Sequence, residues 1–280
     1  MGNFETFRQI RDAAGAGDSS ISNISALGLP ADTRGIHILW MYPDILEMHG
    51  DRGNIMALLH YSNLMRLPCT IRKCRTLTEE IPFEWADYIH FPSGDLSCMA
   101  DVSAALLPRK TGFEAFAAGG KVITAIASSG ALLAEKTDML DGSTFPGLGL
   151  LGMEMTQRKT VFGDDLWIET DEGMKILGNE IQLAQPHLKD GQAPFGKTVY
   201  GRGNTGDGTE GARSGNVIFT HAVGPLFARN PYFAEAILKK CAEIAGVDPA
   251  SLHQLTREDI ALELSALEDF ETFIRSKMKP

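Results

Sequence analysis

The sequence lacks any long apolar run. Nowhere in its 280 residues does one approach the ~20 needed to span a membrane, so no membrane insertion is expected. The N-terminus lacks a basic segment followed by an apolar stretch, so no secretory signal is read there. A basic excess is also missing: 26 Lys and Arg stand against 36 Asp and Glu, a formal charge of −10. That argues against a nucleic-acid partner, whose phosphates call for a basic face. Cysteine is scarce. Cys69, Cys74, Cys98 and Cys241 form no CxxC pair and no zinc-like spacing. Scattered thiols of this kind fit packing residues in a reducing compartment, so the expected location is cytoplasmic and no metal is expected. The run Gly201-x-Gly203-Asn204-x-Gly206-x-Gly208 lacks the Lys-Ser/Thr of a phosphate loop and follows no strand of a βαβ unit, so it does not read as a nucleotide site. No organic cofactor is implied.

What is present is the composition of an ordinary globular chain, 44% hydrophobic and 22% charged, long enough to bury a sizeable core. Short apolar runs predict strands at 36–42, 68–72, 88–91 and 121–127. Helical spacing predicts helices at 51–66, 99–117 and 130–136. This alternation implies βαβ units and a mostly parallel sheet covered by helices, an α/β fold with three layers. Residues 147–220 read instead as short β-like pieces between Gly-rich turns, and 231–278 as an amphipathic helical tail. Three regions follow: a Gly/Ala/Ser/Asp-rich N-terminal extension at 1–34, read as loosely docked, a main domain at 35–245 and a C-terminal helical extension at 246–280. The acidic tail with its apolar stripe (Leu262, Leu264, Leu267, Phe270, Phe273) fits either a subunit interface, hence a homo-oligomer, or closure of the chain's own core.

The stretch from Gly120 to Gly130 carries the most information. Its apolar run Val122–Ile126 ends abruptly in Ala127-Ser128-Ser129-Gly130, before Ala131-Leu132-Leu133-Ala134. This reads as a buried strand turning sharply into a helix, the geometry that presents a catalytic nucleophile at an exposed elbow. The small polar residues there read equally well as caps of the following helix.

Trp40 through Ile55, with Tyr42-Pro43-Asp44 and Gly50-Asp51-Arg52-Gly53-Asn54 at its heart, resembles the opening of the CobB/CobQ-type class I glutamine amidotransferases, and above all their GatD-like branch. Gly147-Leu148-Gly149-Leu150-Leu151, Phe195 through Asn204, and Gly224-Pro225-Leu226-Phe227-Ala228-Arg229-Asn230-Pro231 continue the likeness over about residues 35 to 245. The resemblance implies a flavodoxin-like class I amidotransferase fold. It implies a cysteine thiolate that attacks the glutamine amide, a histidine that moves the protons, and backbone N–H groups that hold the oxyanion. It also implies a partner, a Mur-ligase-like or other amidating synthetase subunit, in a peptidoglycan or cobalamin pathway.

All three chemical parts are altered here. Ala127 stands in the cysteine's place and Val223 in the histidine's. The Gly-rich oxyanion turn is replaced by Phe91-Pro92-Ser93-Gly94-Asp95, where Pro92 has no N–H to donate. The expectation is therefore a relative that does not hydrolyse glutamine and serves as a partner or binding subunit. A rival shifts the register by one. Ser128-Ser129-Gly130-Ala131 resembles the serine elbow of the peptidase E relatives, with Ser128 as nucleophile and His221 as base, since residues two apart on a strand face the same way. Ser93, Gly94, Ser129 and Gly130 would then line the oxyanion pocket. Gly50, Asp51, Arg52 and Asn54 form a candidate anion-binding loop at the start of a helix, or a cap and an ion pair. A third reading is a small-ligand binding module that uses the vacated pocket.

Overall fold

The short apolar runs build the first sheet. In the computed structural model, which describes residues 20–278, they are β1 (Ser20–Ser22), β2 (Ile36–Met41), β3 (Cys69–Cys74), β4 (Tyr88–Phe91) and β5 (Val122–Ile126). Along β2 the period of two divides the side chains. Ile36, Ile38 and Trp40 enter one apolar cluster, while Leu39 and Met41 enter another on the opposite face. A sheet buried on both faces needs helices on each. Helix α1 (Arg52–Leu64) covers the first face through Ile55, Leu58 and Leu59; α2 (Met99–Leu106) and α3 (Lys110–Ala118) cover the second through Val102, Leu106, Phe113 and Phe116. The expected helix over 99–117 is thus two helices, joined by a turn carrying Pro108. After β5 comes one turn of 3-10 helix (Ala127–Ser129) and the single-turn α4 (Gly130–Leu133).

The next segment differs from the short pieces expected. β6 (Lys136–Asp138), β7 (Thr144–Pro146), β8 (Met153–Glu169), β9 (Lys175–Leu188), β10 (Gly196–Tyr200) and β11 (Thr209–Glu210) make a second, largely antiparallel sheet around the long β8–β9 hairpin. Part of this hairpin is solvated, so main-chain pairing rather than an apolar run specifies it. β12 (Ala212–Ser214) and β13 (Val217–Thr220) return to the first sheet, and β14 (Ala222–Val223) pairs with β9. The first sheet runs β1-β3-β2-β4-β5-β13-β12, parallel from β3 to β13 and antiparallel at both edges. The result is a three-layer α/β/α arrangement with the second sheet packed, through β9, against the turn that follows β5.

α5 (Leu226–Arg229) and α6 (Pro231–Ala245) follow β14, and α7 (Ala261–Lys277) ends the described chain. The expected continuous tail breaks at Gly246, whose φ of +71° forms a left-handed C-cap. Leu264 of α7 joins the first cluster, and Leu267 and Ile274 pack with Trp167 and Leu177 of the second sheet, so these residues close the chain's own core, while Leu262 and Phe273 of the stripe stay exposed. Of the expected N-terminal extension, residues 1–19 lie outside the described residues, while Ser20–Ser22 pair with β3 as an edge strand. Among the described residues no helix is long and apolar enough to cross a membrane. None of their His, Cys, Asp and Glu form a group of three or more placed to hold a metal ion.

Candidate functional site

The turn after β5 has its apex at Ala127. Its φ is +47°, a left-handed conformation that costs a residue with a Cβ roughly 1–2 kcal/mol. Strain of this kind is held where surrounding structure over-determines it, and here α4 and β9 do so. Gly130 lets α4 descend onto β13, since a Cβ there would lie 2.3 Å from the Phe219 ring. The elbow geometry therefore exists, in the register that places Ala127 rather than Ser128 at its tip. The Ala127 methyl is 2% exposed and shares one apolar cluster with Val223, which is 4% exposed. The positions where the resemblance calls for a thiol and an imidazole are now core.

Both serines beside the apex are tied to the loop after β4. Ser128 Oγ donates to the Gly94 carbonyl at 2.5 Å and accepts from the Gly94 N–H at 3.1 Å. Ser129 Oγ donates to the Pro92 carbonyl at 2.5 Å. Neither caps α4. The Ser93 N–H donates to Asp51 Oδ2. So the Ser93 and Gly94 amides, expected to line an oxyanion pocket, are both engaged inside the protein.

The candidate anion loop also has a different task. Asp51 is buried, and its other oxygen accepts from Asn54 Nδ2. Asn54 Oδ1 in turn accepts from the Phe227 N–H at 2.8 Å. Gly53 lies flat against Pro225, whose Cγ would be 2.3 Å from an added Cβ. Arg52 points outward to Glu47 at 2.9 Å. Gly50 supplies only the left-handed turn, with φ +74°. The Asp51 side chain accepts from no backbone N–H of its own helix and so does not cap it. Instead, Asp51 and Asn54 staple the Pro92–Gly94 loop and the segment after Val223 to α1. The Asp51 and Asn54 side chains are thus engaged inside the protein rather than turned to a ligand.

His221 does not reach Ser128. The chain leaves the first sheet at Thr220 and enters the second at Ala222, so His221 sits at the break and the alternation of a single strand does not run through it. Its N–H donates to Glu210 Oε1 at 2.7 Å, and Nδ1 lies 3.1 Å from the same oxygen. Among the described residues Nε2 has no hydrogen-bond partner. The Ser128–His221 pair is therefore not assembled.

What sequence reasoning missed is the acid pair around this histidine. Glu180 and Glu210 are both wholly buried. Glu210 Oε2 accepts from Thr220 Oγ1 at 3.0 Å, and Glu180 Oε2 from the Gly203 N–H at 3.1 Å and Gln182 Nε2 at 3.0 Å. Nothing in the spacing of two glutamates on polar, Gly-rich stretches marks them as interior. Burial pushes the Glu180 carboxyl from its ordinary 4.5 up to about 6, opposed by the Arg202 N–H and His221 and assisted by the Glu210 charge. The native state thus holds this proton more tightly than the unfolded chain. The stability Glu180 contributes is full below pH 4.5 and is lost as pH rises through about 6. Glu180→Gln, neutral throughout, lacks that loss. Its stability relative to the parent should therefore improve with rising pH, by up to about 2 kcal/mol at 1.36 kcal/mol per pH unit. Paired urea melts from about pH 4 to 7 check it; a difference independent of pH would show that Glu180 titrates normally.

No protein-family model matches the chain. Among curated proteins, it is 25% identical over 202 residues to the GatD subunit of lipid II isoglutaminyl synthase (glutamine-hydrolyzing) from Streptococcus pneumoniae, covering 71% of this chain and 77% of that one. The Staphylococcus aureus subunit of the same name is 26% identical over 216 residues, covering 76% and 88%. Among solved structures, a glutamine amidotransferase aligns with a TM-score of 0.48 at 15% identity, over 75% of this chain and 99% of that one. Another, from Thermotoga maritima, aligns with a TM-score of 0.46 at 12% identity, over 86% and 99%.

Proposed function

We propose that this chain, a homologue of the GatD-type glutamine amidotransferase subunits, does not hydrolyse glutamine and serves an amidating, Mur-ligase-like synthetase as a binding or structural subunit. The observation that carries the proposal is Ala127 at the strained apex of the elbow. The scaffold that would aim a nucleophile is kept at the cost of backbone strain, and the side chain it aims has neither a lone pair nor a proton to give up. Two further features support the reading. Val223 pairs with Asn179 in the second sheet, where no proton can be managed. The loop amides of Ser93 and Gly94 are engaged by Asp51 and Ser128, so a developing oxyanion finds no free donor there.

Both curated relatives are named as subunits of a lipid II isoglutaminyl synthase, which favours peptidoglycan amidation over a cobalamin pathway. On this reading the chain works in the cytoplasm beside its synthetase. The test is direct. Purified protein incubated with glutamine is expected to release glutamate no faster than buffer. A glutamine-analogue electrophile and a serine-reactive fluorophosphonate are both expected to leave its mass unchanged. Mixed with the Mur-ligase-like protein of the same cell, it is expected to co-elute as a heteromer. Glutamate release proportional to protein, or labelling of Ser128, would overturn the non-hydrolysing reading; separate elution would overturn the subunit role.

A further inference from the structure

The outer face of the β8–β9 hairpin carries a cluster that the elbow does not use. β8 leaves the ladder between Gln157, opposite Ala184, and Phe162, opposite Gln182, so Arg158, Lys159, Thr160 and Val161 stand against Leu183 alone. A bulge re-aims side chains that a regular strand would hold in register. Arg202, in the turn after β10, meets Arg158 there. The two guanidiniums lie 5.4 and 5.8 Å from the centroid of the Phe162 ring, and both donate to Gln185 Oε1, at 2.9 and 3.2 Å. Two positive charges thus share one neutral acceptor. Among the described residues, neither has a carboxylate within ion-pair distance. The Nε of each is buried and finds no partner among those residues. Burial, and then the charge of Arg202, hold the Arg158 guanidinium below its ordinary value. In a chain richer in acids than bases, leaving two arginines together and unpaired runs against the average.

Arg158, Arg202 and Gln185 line a concavity of about 290 Å³ that also takes in Lys159, His187 and Thr156 and, among the described residues, has no acid in its wall. The acid whose charge Arg158 senses, Glu180, is engaged by the Arg202 and Gly203 N–H groups and by Gln182. Met155 and Ala184, the chain neighbours of Thr156 and Gln185, point into the core. By the strand's period of two, the concavity opens on the opposite, solvent side.

We propose that this pocket is an anion site that takes a phosphoryl group between the forks of Arg158 and Arg202, with Lys159 adding charge at the rim. A guanidinium presents parallel N–H donors to oxygen pairs. A planar carboxylate satisfies one such fork, whereas a tetrahedral, multiply charged group can bridge two that converge at an angle. Free phosphate and the diphosphate of a larger metabolite share this chemistry. The site is independent of whether the elbow hydrolyses glutamine.

The test is calorimetric titration of the full chain with inorganic phosphate and with pyrophosphate at fixed ionic strength, since screening weakens exposed charges. At least one should bind saturably at one site with a Kd of about 1 mM or tighter. Glutarate should bind at least about tenfold more weakly. Arg158→Gln and Arg202→Gln should each weaken binding at least about tenfold, as expected for loss of a charge-assisted fork. Much tighter pyrophosphate assigns a diphosphate ligand; equal affinities assign a single phosphoryl group. Gln185→Glu guards against variants that simply fail to fold, because it sets a carboxylate between the two guanidiniums. It should raise the melting temperature and abolish binding. No saturable heat up to about 10 mM, roughly ten times that Kd, would overturn the proposal. So would binding that survives all three substitutions, or a Gln185→Glu protein that melts lower.

Discussion

Ala127→Cys is expected to leave the protein without measurable glutaminase activity, and so is Ala127→Cys combined with Val223→His. Where a nucleophile and base act as a unit, losing either costs nearly as much as losing both, on the order of 10⁶ in kcat. A thiol alone therefore recovers little. The double variant faces two further obstacles. Val223 is a strand residue whose side chain is packed in an apolar cluster, and an imidazole there meets desolvation before it meets a substrate. The Ser93 and Gly94 amides remain bound to Asp51 and Ser128, and a single missing oxyanion donor costs about 10²–10³. Steady-state glutamate release, read beside alkylation of the introduced thiol by iodoacetamide, separates the causes. Slow alkylation with no turnover is the expected result, since the apex is buried. Turnover from Ala127→Cys alone would mean that the 92–94 loop opens and frees its amides, and the non-hydrolysing reading would then rest on one atom.

Asp51→Ala is expected to be the most damaging single change to stability near the elbow, by about 3 kcal/mol or more. Two buried donors, the Ser93 N–H and Asn54 Nδ2, lose their acceptor, and each buried group left unsatisfied costs about 1–3 kcal/mol. Against a total of about 5–15 kcal/mol, that is a large share. Asp51→Asn should do little better. Whichever way its amide turns, an NH₂ faces either the Ser93 N–H or the Asn54 amide, donor against donor. Arg52→Ala, one residue along and exposed, should cost under about 1 kcal/mol. Denaturant melts measure the three. Hydrogen exchange adds a sharper criterion: in the Asp51 variants, the amides of Ser93 and Gly94 and those of Leu226 and Phe227 should lose protection together, because Asp51 and Asn54 tie both segments to α1. Protection lost at one segment and kept at the other would break the staple account.

The parallel sheet was legible because its central strands β2, β4 and β5 are short apolar runs buried on nearly every residue. β2, β4 and β5 were placed within a residue or two for that reason, as was the register of helix α1. The elbow too was legible, from small residues that follow β5 without a break. The second sheet was not. β8 and β9 are long and solvated in part, and β8 bulges over Arg158–Val161. Their partners are fixed by main-chain ladders that leave no periodic trace. The Ser128–His221 expectation failed on the same ground, since a strand that changes sheets at His221 carries its alternation no further.

By itself, the sequence determined the kinship, the three-layer core and the absence of a thiol and an imidazole at two aligned positions. These depend on local pattern and on residue identity, which the chain displays directly. Only the tertiary structure decided which of Ala127 and Ser128 stands at the apex, because that rests on one dihedral. It alone showed that Asp51 and Asn54 are bonded inside the protein, that Glu180 and Glu210 are buried, and that Arg158 and Arg202 meet at Gln185. A charged residue owes its role to what lies within a few ångströms, and for these four that includes groups from 11 to 27 positions away: Arg202 for Glu180, His221 for Glu210, and Gln185 for both arginines.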